Sequence, residues 1–324
     1  MGAGCVFGAA GWAGHLDQPL TLGDRSPFSQ VHGLPAPRSG ELLAPGQTET
    51  RLVFDVANNF VDAQSGTELM VLDGETQRLE LGWRAGLGNG WEVGYTLPVL
   101  QHSGGNLDSF IEGWHDFWGL PDGGRPDAAR NRLDYRYRRG GVVEVDLHER
   151  ESGIGDAEIQ AAYQLWRGGD TTVAMAATIK LPTGDAERLT GDGTAATDLT
   201  LAATTQNLWG STLSGYANAG VLWLPAGDVL PAMQRDYIWH AGAGISWPVS
   251  WLDHEVLALK LQLDMHQAFY RSAVRALGND SILLVIGGTA RLAPHWLLDI
   301  GVGEDLAVDT APDVTLQMGL RWID

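Results

Sequence analysis

The sequence predicts an all-β fold, a transmembrane antiparallel β-barrel of about twelve strands, on three observations. From about Thr48 onward, stretches of about ten residues alternate large apolar side chains with small or polar ones. Tight connections alternate along the chain with long ones, and tryptophans and tyrosines gather at strand ends. Alternation alone fits a soluble sheet equally well, with its apolar face hidden inside. Short turns on one rim, long loops on the other and aromatics at both are the pattern of a barrel whose apolar face meets lipid.

Composition sets limits on this picture. The 324 residues include 43 Gly and 13 Trp, and 40 Asp+Glu outnumber 21 Lys+Arg for a formal net charge of -19. Glycine suits crowded strands, and tryptophan suits a membrane–water interface. The acidity opposes binding to phosphate backbones, so no nucleic-acid partner is expected. Cys5 is the only cysteine, which excludes a disulfide framework or a thiolate metal site. No apolar run reaches the roughly 18 residues of a membrane-spanning helix.

Residues 1–14 contain GCVFGAAGWAG, read as the remnant of a secretory signal peptide without its basic start. Cys5 after Gly2-Ala3-Gly4 has only a faint likeness to a lipoprotein cleavage site. Residues 15–46 are rich in Pro and Gly, lack periodicity, and form a periplasmic or plug-like leader. The barrel is assigned to residues 47–324, with strands near 48–60, 67–87, 90–100, 155–167, 170–182, 197–209, 211–224, 235–248, 254–268, 280–292, 296–306 and 313–323.

In the second strand Leu79, Leu81, Trp83, Ala85 and Leu87 oppose Arg78, Glu80 and Arg84. In the ninth, Leu257, Leu259, Leu261, Leu263 and Met265 oppose Lys260, Gln262, Asp264 and His266. The tight connections are Gly88-Asn89-Gly90, Arg167-Gly168-Gly169-Asp170, Gly210-Ser211 and Ala293-Pro294-His295, all hairpin chemistry. The long ones are 101–154, 183–196, 225–234 and 269–279, and an even strand number places both barrel ends on the short-turn side. Alternation further marks Gln262 as a position that tolerates a cation, and the Gly191-Asp192-Gly193 run as a solvated loop.

The longest loop carries Leu107, Phe110, Ile111, Trp114, Phe117 and Trp118 at helical spacing, after an Asn106 cap and before Gly119-Leu120-Pro121. A short amphipathic helix is expected there. Phe110, Trp114, Phe117 and Trp118 are then candidates for a lid, or simply for packing on the rim.

The leader segment Pro27-Phe28-Ser29-Gln30-Val31-His32-Gly33-Leu34-Pro35 and the loop segment from Phe110 to Arg125 resemble the domain-of-unknown-function 3187 family of proteobacterial envelope proteins. Ile154 to Tyr163, followed by Ile179-Lys180-Leu181-Pro182-Thr183-Gly184-Asp185, looks like a hairpin of barrels linked to phenol-degradation gene clusters. Both resemblances imply an envelope barrel, and neither carries a catalytic residue. The terminal Trp322-Ile323-Asp324 departs from the aromatic ending usual in such barrels.

No catalytic constellation is expected. His102 and Ser103 are adjacent and read as loop, and His266 has no neighbouring Ser. The nine His contain no metal-ligand pairing, and no cofactor is implied. Calcium in the Gly-Asp loops is a weaker reading than solvated turns.

The polar faces nominate Arg51, Asp55, Arg78, Glu80, Arg84, Glu92, Glu158, Lys180, Asp198, Lys260, Asp264, His266, Arg291, Asp299 and Arg321 as lumen-lining residues. The expected location is the bacterial outer membrane. The expected partners are its lipid and lipopolysaccharide, its assembly machinery and a small solute. The reading favoured is a channel or transporter for a small solute, an apolar or aromatic one being suggested by the loop aromatics. The alternatives are a structural or interaction barrel with a closed lumen, and a secreted carbohydrate-binding β-sandwich.

Overall fold

The computed structural model describes residues 15–105, 131–251, 254–307 and 310–324. The signal remnant at 1–14 and the loop helix with Phe110, Trp114, Phe117 and Trp118 lie outside the described residues.

Among the described residues fifteen strands form one antiparallel sheet, and twelve of them build a closed wall. The wall strands are β1 (Thr48–Ser65), β2 (Glu68–Gly88), β3 (Trp91–Ser103), β7 (Ala157–Gly168), β8 (Thr171–Leu181), β9 (Ala196–Thr205), β10 (Ser214–Trp223), β11 (Tyr237–Trp251), β12 (His254–His266), β13 (Ser281–Ala293), β14 (Trp296–Asp305) and β15 (Val314–Ile323). Each pairs with its sequence neighbour, β3 with β7 across the long loop, and β1 returns to β15 with Arg51 opposite Arg321. Closure removes both sheet edges, the condition for strands to cross a bilayer. It also rules out the β-sandwich.

Side-chain exposure settles which face is outside. Leu261 is 45% exposed while its neighbours Lys260 and Gln262 are 3% and 1%. Leu52, Leu79, Ile179, Leu201, Ile286 and Met318 point outward in the same way. A soluble sheet would show the reverse, so the apolar band is the lipid face. Trp91, Trp209, Trp247 and Trp296 are exposed at the short-turn rim, and Trp223, Tyr237 and Trp239 at the other, as interfacial girdles require.

Three features differ from the sequence reading. The long loop carries β4 (Asp134–Arg139), β5 (Val142–Leu147) and β6 (Glu151–Ile154), with β4 paired to the upper end of β2 and β6 to that of β3. These strands are short, and β4 is arginine-rich, so the stretch reads as polar loop, yet Tyr135 and Tyr137 of β4 are fully buried. The connection after β9 is longer than Gly210-Ser211: residues 206–213 fold around a 3-10 turn at Leu208–Gly210. His102 and Ser103 end β3 rather than starting a loop, and His102 is buried against Thr76 and the Leu189 carbonyl.

The largest apolar cluster sits at the long-loop end, where Phe28 and Val31 of the leader meet Leu222, Met233, Phe269 and Tyr270. Two short helices lie nearby, α1 (Pro27–Gln30) and α2 (Arg275–Gly278).

Two outcomes test this orientation. Leu261→Arg, at mid-strand, should destabilise the barrel in bilayer-folding titrations by roughly 2–4 kcal/mol, whereas Leu292→Arg beside a short turn should cost about 1 kcal/mol or less. On intact cells an impermeant maleimide should label cysteines placed at Glu187 and Asn279 in the long loops, and spare those at Asn89 and Asp170. The sequence-based expectation that Asp192 is solvated, and would label, fails because its side chain is 0% exposed.

Candidate functional site

Residues 15–46 pass through the lumen twice. They rise along β11–β15, turn at α1 under the long loops, and descend along β7–β9 to the short-turn rim, where Gly46 donates to the Gly86 carbonyl and leads into β1. The rising arm is seated by leucines. Leu16 packs on Ala258, Leu297 and Ile323, and Leu20 and Leu22 pack on Leu283 and Val285. Gln262 bonds both backbone groups of Leu20, each at 3.2 Å, and also receives the Tyr216 hydroxyl. Gln262 is therefore a clamp on the leader, and the expectation that an arginine is tolerated there is withdrawn.

The descending arm lies so close to the wall that Gly40 has no room for a side chain: a Cβ there would sit 2.6 Å from the Thr172 carbonyl oxygen. Gly40 donates to Thr204, Ser39 bonds the same hydroxyl at 2.8 Å, and Leu42 packs on Ala162, Ala174 and Ala176.

Between these arms and the wall the charged side chains nominated from the sequence come together in four tiers. Near the short turns Arg84 pairs with Glu49 and Glu92, Arg321 with Asp299 and Glu49, and Gln18 accepts from both arginines. Lys260 donates to the Gln18 carbonyl and to Thr289. At mid-height Glu80 receives Arg51 at 3.0 Å and Arg78 at 2.7 Å, and Asp55 receives the leader's Arg25 at 2.7 Å. Higher up, Asp198 bonds His240, and His266 bonds Asp24 of the leader. Asp264 receives the Gln262 amide, and Glu158 and Arg291 complete the inward set, both part-buried.

The highest tier fixes the turn of the leader. His32 is fully buried, with Nδ1 2.9 Å from Asp192 and Nε2 2.7 Å from the Tyr270 hydroxyl. A neutral ring donating to the carboxylate from Nδ1 leaves Nε2 to accept from Tyr270. Lys180 donates to Asp156, to Asp192 and to the Val31 carbonyl. Its aliphatic stem fills the space where a Cβ of Gly33 would stand, and Gly33 adopts φ +69°, so the turn needs glycine there. Burial drives the His32 pKa below the ordinary histidine range, outweighing its bond to Asp192. Burial also opposes ionisation of Asp192, but His32 and Lys180 overcome it and hold its pKa below the ordinary value.

Sequence reasoning missed the leader's own contributors, namely Asp17, Gln18, Asp24, Arg25, His32 and Arg38, and Glu49, Asp156 and Asp192 opposite them. Glu49 stands two residues before Arg51 and was accessible from alternation. The others lie on aperiodic chain, where composition carries no direction.

Among the described residues the space left includes three cavities. One of about 40 Å³ lies beside Asp24, Asn218 and His266. A second of about 60 Å³ lies beside Arg51, Glu80 and Thr178. Both are bounded by Leu34, Pro35, Ala36 and Pro37, which stand between them. Gln18 lines the second cavity and also a vestibule of about 610 Å³ at the short-turn rim.

This architecture has parallels. A model of the family described as "Protein of unknown function (DUF3187)" matches residues 5–323, so the chain belongs to that family. Its fold is that of a bacterial outer-membrane β-barrel. The COG4313 outer membrane channel from Pseudomonas putida F1 aligns with a TM-score of 0.57 at 12% identity, over 90% of this chain and 99% of that one. The NanC porin aligns at 0.44 and 10% identity, over 85% and 98% of the two chains. The Ralstonia pickettii toluene transporter TbuX aligns at 0.37 and 10%, over 94% and 93%. No curated protein matches in sequence.

The His32–Asp192 pair makes the leader's seat sensitive to acid. A folded-state histidine pKa below the unfolded value of about 6.5 means the unfolded chain binds more protons, so stability falls as pH drops through that value. Asp192 acts in the same direction at lower pH. Urea titrations should show a lower midpoint at pH 5.5 than at 7.5, and His32→Gln should flatten that dependence.

Proposed function

We propose that this barrel passes a small polar solute across the outer membrane, without catalysis, by displacement of the span Leu34–Pro37. One observation carries the reading. Among the described residues no hydrogen bond engages Leu34, Pro35, Ala36 or Pro37, although both flanks of the span are anchored, by Gly33 against Lys180 and by Arg38 on Glu92. Two prolines keep the span extended and remove two donors. Moving it severs no bond and joins the 40 and 60 Å³ cavities into one passage toward the vestibule. The wall of the 60 Å³ cavity is charged and hydroxylated, which favours a polar solute over the apolar one suggested by the loop aromatics.

The structural alternative is a lumen permanently closed by its leader. It is favoured by the many bonds that hold the rest of residues 15–46. Planar-bilayer conductance and liposome swelling separate the two. In the channel reading the wild-type chain conducts, Leu34→Ala raises conductance and uptake severalfold, and Ala36→Trp lowers both. A chain that stays at bilayer baseline in wild type and in Leu34→Ala is a closed barrel.

A further inference from the structure

The mid-lumen cavity has a composition at odds with the rest of the chain. Acidic residues outnumber basic ones by 40 to 21 overall, yet this cavity is lined by five arginines, Arg25, Arg38, Arg51, Arg78 and Arg84, against Glu80 and Glu158. Their side chains are only 10–14% exposed, so bulk water does little to screen them. Four of the five share a carboxylate. Glu80 serves Arg51 and Arg78, and Glu92 serves Arg38 and Arg84. Sharing leaves donors over: Nε of Arg38, of Arg51 and of Arg78 is buried without a hydrogen-bond partner.

Buried N–H groups of charged side chains left unpaired are costly, so an acceptor that meets these arginines is stabilised. Arginine offers a planar fork of donors that matches a carboxylate. The volume, about 60 Å³, is that of roughly two liquid-water shares, enough for a carboxylate head with a very short tail. The same cavity is lined by Leu34, Pro35, Pro37 and Ala176, apolar groups on which such a tail can rest.

The geometry points to a binding site for a small monocarboxylate in this cavity, its head held by Arg51 and Arg78 and its alkyl end against Leu34 and Pro35. This names the class of solute for the path proposed above and rests on that reading for its role in permeation. The site sits next to the movable span, so an occupant touches Pro35 and Pro37 before it reaches the next cavity. Glu158 lines the same space with no side-chain hydrogen bond among the described residues, and its charge opposes an anion there.

The test is equilibrium binding of acetate to the detergent-solubilised full chain at about pH 8, followed by saturation-transfer NMR, with acetamide as the neutral isostere. Acetate is expected to bind saturably and acetamide not at all. Arg51→Gln with Arg78→Gln should weaken acetate about tenfold, the scale of one lost charge-assisted bond. Glu158→Gln should tighten it, a gain that damage to the fold cannot produce, and each variant's fold is checked by heat-modifiable migration in gels. Equal binding of acetate and acetamide, or acetate affinity indifferent to the arginine and glutamate changes, overturns the site. A site that binds acetate in a barrel that never conducts leaves the carboxylate assignment standing and sinks the channel.

Discussion

Everything in this molecule follows from the pairing of β1 with β15. Hydrocarbon offers no partner to a peptide N–H or C=O, so a sheet that crosses it must close on itself. Closure here turns each leucine row outward and each charged row inward. Eight strands close on an interior that side chains just fill, whereas twelve enclose more than that. The surplus volume is charged, shielded from bulk solvent and short of partners. The leader resolves the mismatch, bringing Asp17, Gln18, Asp24, Arg25, His32 and Arg38 to meet wall residues that could not all reach one another.

The resulting web acts more on position than on net stability. Taking paired charges out of water costs about as much as their attraction returns, while removing one partner leaves the other stranded at a cost of about 3–5 kcal/mol. An Arg84 lost from between Glu49 and Glu92 would leave each buried carboxylate with a single arginine, Arg321 and Arg38 respectively. Such networks penalise alternative placements of the leader strongly, even when the correct placement gains little. Binding to the leader is therefore specific in register: Leu20 meets Gln262 and Ser39 meets Thr204, with no equivalent neighbour one step along.

The wall was legible in the sequence because its physics is periodic. A two-residue repeat carried over twelve strands, punctuated by turns such as Asn89-Gly90, leaves little freedom in strand placement, and most boundaries moved by only a few residues. The inward charges followed from the same repeat. The leader was not legible, because its partners lie far along the chain: His266 is 242 residues from Asp24, and Tyr270 is 238 from His32. No local pattern records such distances. Two misreadings share this cause. Gly191-Asp192-Gly193 looks like a solvated turn until His32 and Lys180 arrive to bury it, and Gln262 looks like an idle lumen residue until Leu20 lies across it.

The doubling-back of the leader has a mechanical consequence. Residues 15 and 46 both lie at the short-turn rim, so the segment enters as a bight, like a finger pushed into a ring, rather than as a thread drawn through it. A bight carries no topological link to the wall. It can be drawn out, or put in after the wall has closed, without cutting the chain or opening a single ladder between strands. Only side-chain bonds and a few leucine seats give way, and tension applied at the rim acts along both arms, in the direction in which they slide. This barrel can therefore be emptied from one side only, that of the short turns.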